Sequence, residues 1–359
     1  MMKKSTFIIA EAGVNHNGDV NLAHRLIDVA KDANADAVKF QTFLAEEIAT
    51  PHAQKANYQK QNTAGNTSQL SMLQKLQLSQ EAHFELQQHC NDIGIEFLST
   101  PFDLLSLKFL VEELGIQTIK ISSGDITNGP LLHTCARAGG EIILSTGMST
   151  MEEIQEALAV LAHGYSCQQL PCKRAFDEAL STAEGQESLQ RNVTLLHCTS
   201  QYPAPVNELN LNAIPFMKQA FGLPTGYSDH SEGIVASIAA VAIGADLIEK
   251  HITLDKNMVG PDHKASLNPG ELSALVTSVR IVERSMGEPQ KTLQSSERET
   301  MELVRKSIVA ARDIHKGEIF SLDNLTFKRP CSGESPMSYW EFLGEPSGSD
   351  YNKDDIISL

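Results

Sequence analysis

Two histidines, His230 and His251, are the strongest candidates for metal ligands in this chain of 359 residues. Each follows a short run of apolar and β-branched residues, and a separation of 21 positions suits one short helix plus one strand. Two such strands would be neighbours in a parallel sheet and would direct both imidazoles to the same edge. Neutral imidazoles suit borderline divalent ions such as Mn²⁺, and two of them with open positions fit a Lewis acid that polarises a carbonyl. Two unrelated capping histidines are the alternative.

A second group of residues could bind a phosphate and a carboxylate. It combines two lysines with four hydroxyl side chains, which supply point charges and hydrogen-bond donors: Lys39, Thr100, Lys120, Ser123, Ser145 and Ser228. A buried lysine can also form a Schiff base with a substrate carbonyl, so an aldolase with Lys120 as its amine is an alternative. Three carboxylates, Glu11, Glu249 and Asp262, could orient a sugar hydroxyl, hold metal-bound water or move protons.

These residues fall at the ends of eight strand-like runs that alternate with segments of helical periodicity. The runs are Phe7–Gly13, Ala37–Phe43, Ile95–Phe102, Thr118–Asp125, Glu141–Met148, Val193–Ser200, Pro224–His230 and Leu247–Thr253. Eight βα units predict an α/β fold that closes into a TIM (β/α)8 barrel, where all strand ends point to one mouth. An open doubly wound sheet is the alternative, but the segment 11–18 lacks the glycine-rich turn typical of it.

The rest of the chain predicts a catalytic domain over residues 1–286, a polar linker over 287–302 and a small β domain over 303–359. Within the barrel, the long connection Leu44–Gln77 is a candidate lid or substrate loop. The polar segment Gly164–Arg191 precedes the sixth strand, so we expect a surface insertion at the far end of the barrel without a catalytic role.

Composition narrows the classes of partner. The formal net charge of −16 leaves no basic stripe for nucleic acid. Six scattered cysteines form no CxxC pair, which argues against a zinc site or a disulfide framework. The early apolar stretch Phe7–Ala10 is interrupted by Glu11 and is too short for a signal peptide or a membrane span. We therefore expect a soluble, cytoplasmic protein that binds no membrane.

Over essentially its whole length the chain resembles the N-acetylneuraminate (sialic acid) synthase family. The resemblance rests on ordered motifs: 8-IIAEAGVNHNG-18, 38-VKFQT-42, 99-STPF-102, 120-KISSG-124, 144-LSTGM-148, 196-LHCT-199 with Tyr202 and Pro203, 227-YSDH-230, 248-IEKH-251 and 260-GPD-262. The tail, from 305-RKSIVA-310 to 328-KRP-330, is similar to the family's antifreeze-like SAF domain, a β-clip fold found in type III antifreeze proteins.

The resemblance implies a TIM barrel with this SAF domain, a domain-swapped homodimer and a divalent metal, with Mn²⁺ expected before Mg²⁺ or Co²⁺. It puts the metal on His230 and His251 and phosphoenolpyruvate on the two lysines and four hydroxyls named above. Catalytic positions are Glu11, Lys39, Lys120, Asp125 and Glu249. Sugar-binding positions are Gln41, Tyr58, Ser200, Tyr202, Asp262 and Arg329, and Arg329 matches an arginine that reaches into the partner subunit's mouth.

The implied reaction condenses phosphoenolpyruvate with N-acetylmannosamine, or a closely related N-acyl amino sugar, to give N-acetylneuraminate and phosphate with C–O cleavage. A legionaminic acid synthase that uses 2,4-diacetamido-2,4,6-trideoxymannose is the first alternative, and a Schiff-base aldolase is the second. A tail that only binds ice or glycans would leave the polar strand ends unexplained. Departures from the family pattern at Asp125, Ser200 and Cys331 bear on the choice of sugar.

Overall fold

Eight parallel strands close into a barrel in the first of two compact units, Met1–Met286 and Gly287–Leu359. The computed structural model describes residues 5–63, 68–167 and 169–358. The barrel strands are β1 Phe7–Gly13, β2 Ala37–Thr42, β3 Glu96–Pro101, β4 Thr118–Ile121, β5 Glu141–Ser145, β6 Val193–Cys198, β7 Thr225–Asp229 and β8 Leu247–His251. The predicted TIM barrel is confirmed, because β1 pairs in parallel with both β2 and β8.

Helices follow each strand, and most of them cover the outside of the barrel. They are α1 Val20–Asp32, α2 Ala45–Ile48, α3 Asn57–Asn62, α4 Gln69–Leu76, α5 Gln80–Ile93, α6 Leu104–Lys108, α7 Gly129–Arg137, α8 Met151–Ser166, α9 Lys173–Ser181, α10 Ala183–Asn192, α11 Ala213–Phe221, α12 Val235–Ala242 and α13 Pro269–Ser285. Local sequence sets their starts: Thr150 and Glu153 form a capping box at α8, and Asn268 with Glu271 does so at α13.

Strand alternation divides the buried side chains into two layers. Inward-facing apolar residues fill the lower barrel, namely Ile9, Ala37, Leu98, Ile143, Leu196 and Leu247. Outward-facing residues such as Ile8, Val38 and Ile248 pack against the helices. This period of two places the polar residues near the strand ends either inside the mouth or behind the barrel wall.

The predicted lid segment between β2 and α5 contains three short helices, α2 to α4. It reaches across the mouth, because the Asn62 side chain donates a hydrogen bond of 2.8 Å to the Pro261 carbonyl beyond β8. Its α4 end packs closely on the turn after β1, where a side-chain carbon on Gly18 would lie 2.3 Å from the Lys75 carbonyl oxygen. Glycine is required there by this approach and by a φ of +78°.

The segment that was expected to form a surface insertion before β6 folds as two helices, α9 and α10, which pack on α8. It enters the barrel wall just before Val193, at the end of the strands remote from the mouth.

The second unit consists of α14 Arg298–Val304, β9 Ser307–Ala310, β10 Leu325–Lys328 and α15 Tyr339–Phe342. The two strands pair antiparallel and cover a small apolar core: Ile308, Ala310, Ile314, Phe320, Leu325, Phe342 and Ile357. Among the described residues, no helix combines the length and the apolar character that a bilayer crossing needs.

Candidate active site

A cavity of about 450 Å³ opens at the carboxyl ends of the barrel strands. Most of the predicted site residues line it: Glu11, Lys39, Gln41, Thr100, Lys120, Ser123, Ser145, Ser200, Tyr202, Ser228, His230, Glu249, His251 and Asp262. They come from every strand of the barrel, so no local segment could form this site alone. The cavity lies where TIM-barrel enzymes hold their active sites.

Two lysines and two glutamates form a buried charge cluster in the cavity. Glu249 connects the lysines, since its carboxylate oxygens lie 3.5 Å from Lys39 Nζ and 3.4 Å from Lys120 Nζ. Glu11 contacts Lys39 at 2.5 Å. All four side chains are nearly inaccessible to solvent. The positive charges that would bind an anion are therefore already balanced by carboxylates.

The cluster shifts the pKa values of its members in different directions. Burial would raise the pKa of Glu249, but Lys120 and Lys39 hold it below its ordinary value. Burial raises the pKa of Glu11 despite the adjacent Lys39, and Glu249 adds to that increase. Burial also lowers the pKa of Lys120, which Glu249 partly offsets. Glu11 is thus the carboxylate of the cluster that is best placed to carry or release a proton.

The hydroxyl groups around the lysines also line the cavity. Lys39 Nζ donates to Thr100 Oγ1 at 3.0 Å, whereas the buried Ser145 Oγ has no hydrogen-bond partner within the described part of the chain. Ser123 Oγ accepts a hydrogen bond of 3.0 Å from the Gly147 amide. We call this set of two lysines and four hydroxyls, which also includes Ser228, the polar cradle.

The two candidate metal ligands face each other in the mouth, with ring centroids 5.6 Å apart. His230 Nδ1 lies 2.9 Å from the Thr199 carbonyl oxygen, which can only accept, so Nδ1 carries the hydrogen. In the neutral ring Nε2 then carries the lone pair, which accepts a hydrogen bond from the Tyr202 hydroxyl at 2.9 Å. Burial, reinforced by His230, holds the pKa of His251 well below its ordinary range, which keeps that ring neutral.

The donor set fits a divalent ion on these observations. His251 Nδ1 is buried without a hydrogen-bond partner among the described residues. A side-chain carbon on Gly13 would lie 3.3 Å from Glu11 Oε1 and 3.4 Å from both Gln41 Nε2 and His251 Nδ1, so these groups converge. No three His, Cys, Asp or Glu side chains in residues 5–63, 68–167 and 169–358 form a ready-made metal cluster. An ion here would need oxygens from water or substrate as well.

Asp262 is a buried carboxylate beside this pair. Burial raises its pKa to about 6, and Oδ1 has no partner in the described ranges. An unpaired buried carboxyl oxygen is costly unless a ligand satisfies it. Asp262 therefore fits a ligand-binding role.

Sequence reasoning missed an apolar wall on one side of the cavity. Its residues follow β1, β2 and β3 or lie in the lid helices α2 and α4: Val14, Phe43, Ile48, Met72, Leu73, Leu76 and Phe102. In a closed eight-stranded barrel these strands lie across the axis from β5 to β7, which carry Ser145, Ser200 and Ser228. The helical spacing of Met72 and Leu76 within the lid is the signal that could have revealed the wall.

The structure gives no support to a site role for three further predicted residues. Asp125 does not line the cavity, and its carboxylate accepts a hydrogen bond of 2.6 Å from Ser122 in the turn after β4. The side chain of Tyr58 lies outside the described residues. Arg329 is exposed in the second unit, at the end of β10. The roles of these three residues stay predictions.

A closed βα barrel with lysines, carboxylates and imidazoles in one mouth defines a TIM-barrel enzyme. Comparison with known proteins specifies the family. The model of the NeuB family matches residues 26–291, and that of the SAF domain matches residues 305–358. The chain belongs to the NeuB family and is a synthase of that type.

The relatives are similar in sequence to this chain over nearly its whole length. The N,N'-diacetyllegionaminic acid synthase of Campylobacter jejuni is 52% identical over 99% of both chains. The enzyme of the same name from Legionella pneumophila is 42% identical over 94% of this chain and 89% of its own. A crystal structure of the N-acetylneuraminic acid synthetase of Leptospira borgpetersenii, with 35% identity, covers 83% of this chain and 91% of its own at a TM-score of 0.67.

Proposed function

We propose that this protein condenses phosphoenolpyruvate with 2,4-diacetamido-2,4,6-trideoxymannose to give N,N'-diacetyllegionaminate and phosphate. The observation that carries the proposal is one cavity lined both by the polar cradle and by an apolar wall, which the lid helices and the residues after β1 to β3 form. A cradle suits the phosphate and carboxylate of phosphoenolpyruvate. A wall suits a sugar with a methyl group at C6 and two acetamido methyls. The 52% identity to a synthase of this name supports the same choice.

In the proposed reaction the methylene carbon of phosphoenolpyruvate attacks the aldehyde carbon of the open-chain sugar. Lys39 and Lys120 balance the charge of the phosphate and carboxylate and hold the nucleophile in place. Water then adds to the cationic carbon that bears the phosphate, and the C–O bond breaks to release phosphate. Glu11, with its raised pKa, delivers a proton to the former aldehyde oxygen, which becomes the new hydroxyl, or removes one from the attacking water.

His230 and His251 would hold a divalent ion, for which we propose Mn²⁺ before Mg²⁺ or Co²⁺. When bound, such an ion supplies Lewis-acid polarisation of the sugar carbonyl. Tyr202 contacts His230, and Gln41 donates a hydrogen bond of 3.2 Å to Glu11, so both are placed to orient the sugar beside this pair. Asp262, with its unpaired oxygen, can accept from a sugar hydroxyl.

N-acetylmannosamine is the second candidate substrate, because the crystal structure with 35% identity is that of an N-acetylneuraminic acid synthetase. N-acetylmannosamine carries hydroxyl groups at C4 and C6, whereas the trideoxy sugar has an acetamido group at C4 and a methyl group at the C6 position. Those hydroxyls would lose water against an apolar wall without finding partners, which disfavours them.

The test measures phosphate release from phosphoenolpyruvate with Mn²⁺ and each sugar in turn. We expect release with the trideoxy sugar at more than about tenfold the kcat/KM of N-acetylmannosamine, abolished by EDTA and restored by Mn²⁺. Preference for N-acetylmannosamine would select the second candidate. Activity that survives EDTA and is trapped by borohydride on Lys120 would instead indicate a Schiff-base aldolase.

We also propose that the active form is a homodimer with swapped C-terminal units, in which Arg329 completes the partner's site. The supports are the SAF match and the exposure of Arg329 at the end of β10. Mixed heterodimers of Arg329→Ala and His230→Ala chains should recover part of the activity that each homodimer lacks. Full subunit exchange without recovery would overturn the proposal.

A further inference from the structure

An ion pair behind the barrel wall joins Asp229 and Lys250, the residues that directly precede the candidate metal ligands His230 and His251. Asp229 Oδ2 and Lys250 Nζ lie 3.0 Å apart, and both side chains are fully inaccessible to solvent. Because successive strand residues point to opposite faces, Asp229 and Lys250 face the helices while His230 and His251 face the mouth. Neither charged residue lines the cavity.

Lys250 contacts both sides of His230. Besides Asp229, its ammonium group donates a hydrogen bond of 2.5 Å to the carbonyl oxygen of Ser231. Lys250, the residue before His251, therefore contacts the chain immediately before and immediately after His230. The two strands also pair directly at this level, with Asp229 opposite Lys250 in the parallel register.

Asp229 fixes the turn that leaves β7. Its Oδ1 accepts from the Ser231 amide at 2.8 Å and from the Ser231 hydroxyl at 2.7 Å. Its Oδ2 accepts from Ser237 of α12 at 2.6 Å. All the polar groups of the ion pair are thus satisfied, which a buried charge requires.

We propose that Asp229 and Lys250 are positioning residues that hold His230 and His251 in the relative orientation needed to share one divalent ion. The proposal rests on the metal role given to the histidines under the proposed function. A buried ion pair gives little net stability compared with apolar residues of similar volume, so stability alone does not explain it. What it provides is a fixed geometry between two adjacent strand ends. Groups behind metal ligands commonly change affinity by about 10- to 100-fold when altered.

The test compares three variants. Lys250→Met removes the ion pair between Asp229 and Lys250, which we call the bridge. Asp229→Asn combined with Lys250→Met removes the bridge without leaving an unpaired buried charge. Ser237→Ala is the matched control, because it removes a buried hydrogen bond of Asp229 from the helix side and leaves the bridge intact. Mn²⁺ affinity of the metal-free full chain is measured by the EPR signal of free Mn²⁺, and folding is checked by circular dichroism.

We expect at least about tenfold weaker Mn²⁺ binding in a folded bridge variant and less than about threefold change in Ser237→Ala. The KM for phosphoenolpyruvate should change little while kcat falls, since five of the six cradle residues lie on or directly after β2 to β5 and only Ser228 belongs to β7. Mn²⁺ affinity equal to wild type in a folded bridge variant would overturn the proposal, and so would failure of both bridge variants to fold, which would indicate a purely structural pair.

Failure of the proposed function has a different signature. Wild-type protein that binds no Mn²⁺ and releases no phosphate would refute the metal role itself. The bridge is then judged by the ¹⁵N imidazole resonances of His230 and His251, which should change in the bridge variants and stay fixed in Ser237→Ala. Unchanged resonances in all three variants would overturn the positioning role too.

Discussion

The Glu249 carboxylate lies 3.4 Å from the Lys120 ammonium group at the base of the barrel mouth. Glu249 also contacts Lys39 and accepts a hydrogen bond of 2.8 Å from Ser228. An anionic substrate must therefore compete with a resident carboxylate for the lysines. Because the same lysines pair with Glu249 and would bind the anion, a change at Glu249 should alter both the stability of the ligand-free protein and its affinity for anions.

Glu249→Gln should destabilise the ligand-free protein by about 3 kcal/mol, because it leaves buried lysine charge uncompensated. Millimolar phosphate should restore most of that loss, since the anion takes the place of the carboxylate. Thermal unfolding with and without phosphate measures both effects. Glu156→Gln, which breaks the exposed pair with Lys173, is the control and should change little. Equal phosphate stabilisation of Glu249→Gln and wild type would contradict the competition.

Gly147→Ala should impair substrate binding more than folding. A side-chain carbon there would lie 2.2 Å from Ser200 Oγ and 2.8 Å from Ser123 Oγ. Hydroxyls can rotate away, so the unfolding temperature should hold, but the cradle would lose its arrangement. We expect the KM for phosphoenolpyruvate to rise by about tenfold, which corresponds to the loss of one hydrogen bond to a charged group. Gly129→Ala meets no atom within 4 Å and should leave steady-state kinetics unchanged.

Met72→Gln should change the choice of sugar. Glutamine has nearly the shape of methionine but puts a polar amide into the apolar wall. We expect kcat/KM for the trideoxy sugar to fall by about tenfold, and that for N-acetylmannosamine by less than about threefold. Met286→Gln makes the same chemical change at a partly exposed position after α13 and serves as the control. An equal loss with both sugars would show that Met72 does not distinguish them.

Asp262 should give the ligand-free protein a pH dependence of stability. Burial raises its folded pKa from 3.8 to about 6, so the folded state binds the proton more tightly than the unfolded state. Its contribution is fully present below about pH 4 and is lost as pH rises through 6, on the order of 3 kcal/mol. Denaturant unfolding in EDTA at pH 4 to 7 should show a larger loss in wild type than in Asp262→Asn, which retains only the contribution of groups such as Glu11. Parallel profiles would contradict the shifted pKa.

Much of the barrel could be predicted from the sequence because the signals are periodic. The apolar runs begin within one residue of every observed strand, and β1 matches at both ends. The other predicted runs extend past the observed strand ends. In the run Thr118–Asp125, for example, the strand ends at Ile121, and Ser123–Asp125 forms a 3₁₀ turn. A hydrophobic pattern gives no sign of where a strand leaves the sheet when the next residues are small and polar.

Side-chain partnerships were less accessible. The polar cradle could be predicted, since strand ends of a barrel converge whatever their partners are. The Asp229–Lys250 pair could not be predicted. In the sequence these residues are only the neighbours of the two histidines, and their contact follows from the register between β7 and β8. Asp125 has the right chemistry at a strand end, yet its turn directs the carboxylate to Ser122.

The apolar wall lies above β1 to β3, whereas the two imidazoles and the hydroxyls of Ser145, Ser200 and Ser228 lie on or directly after β5 to β8. A sugar held between two such unlike surfaces cannot turn over without placing its methyl groups among hydroxyls and charges. Its planar aldehyde would then present the same face to the incoming carbon in every turnover. The asymmetry of the mouth would thus dictate the handedness of the newly formed carbinol centre, and the product would emerge as a single diastereomer.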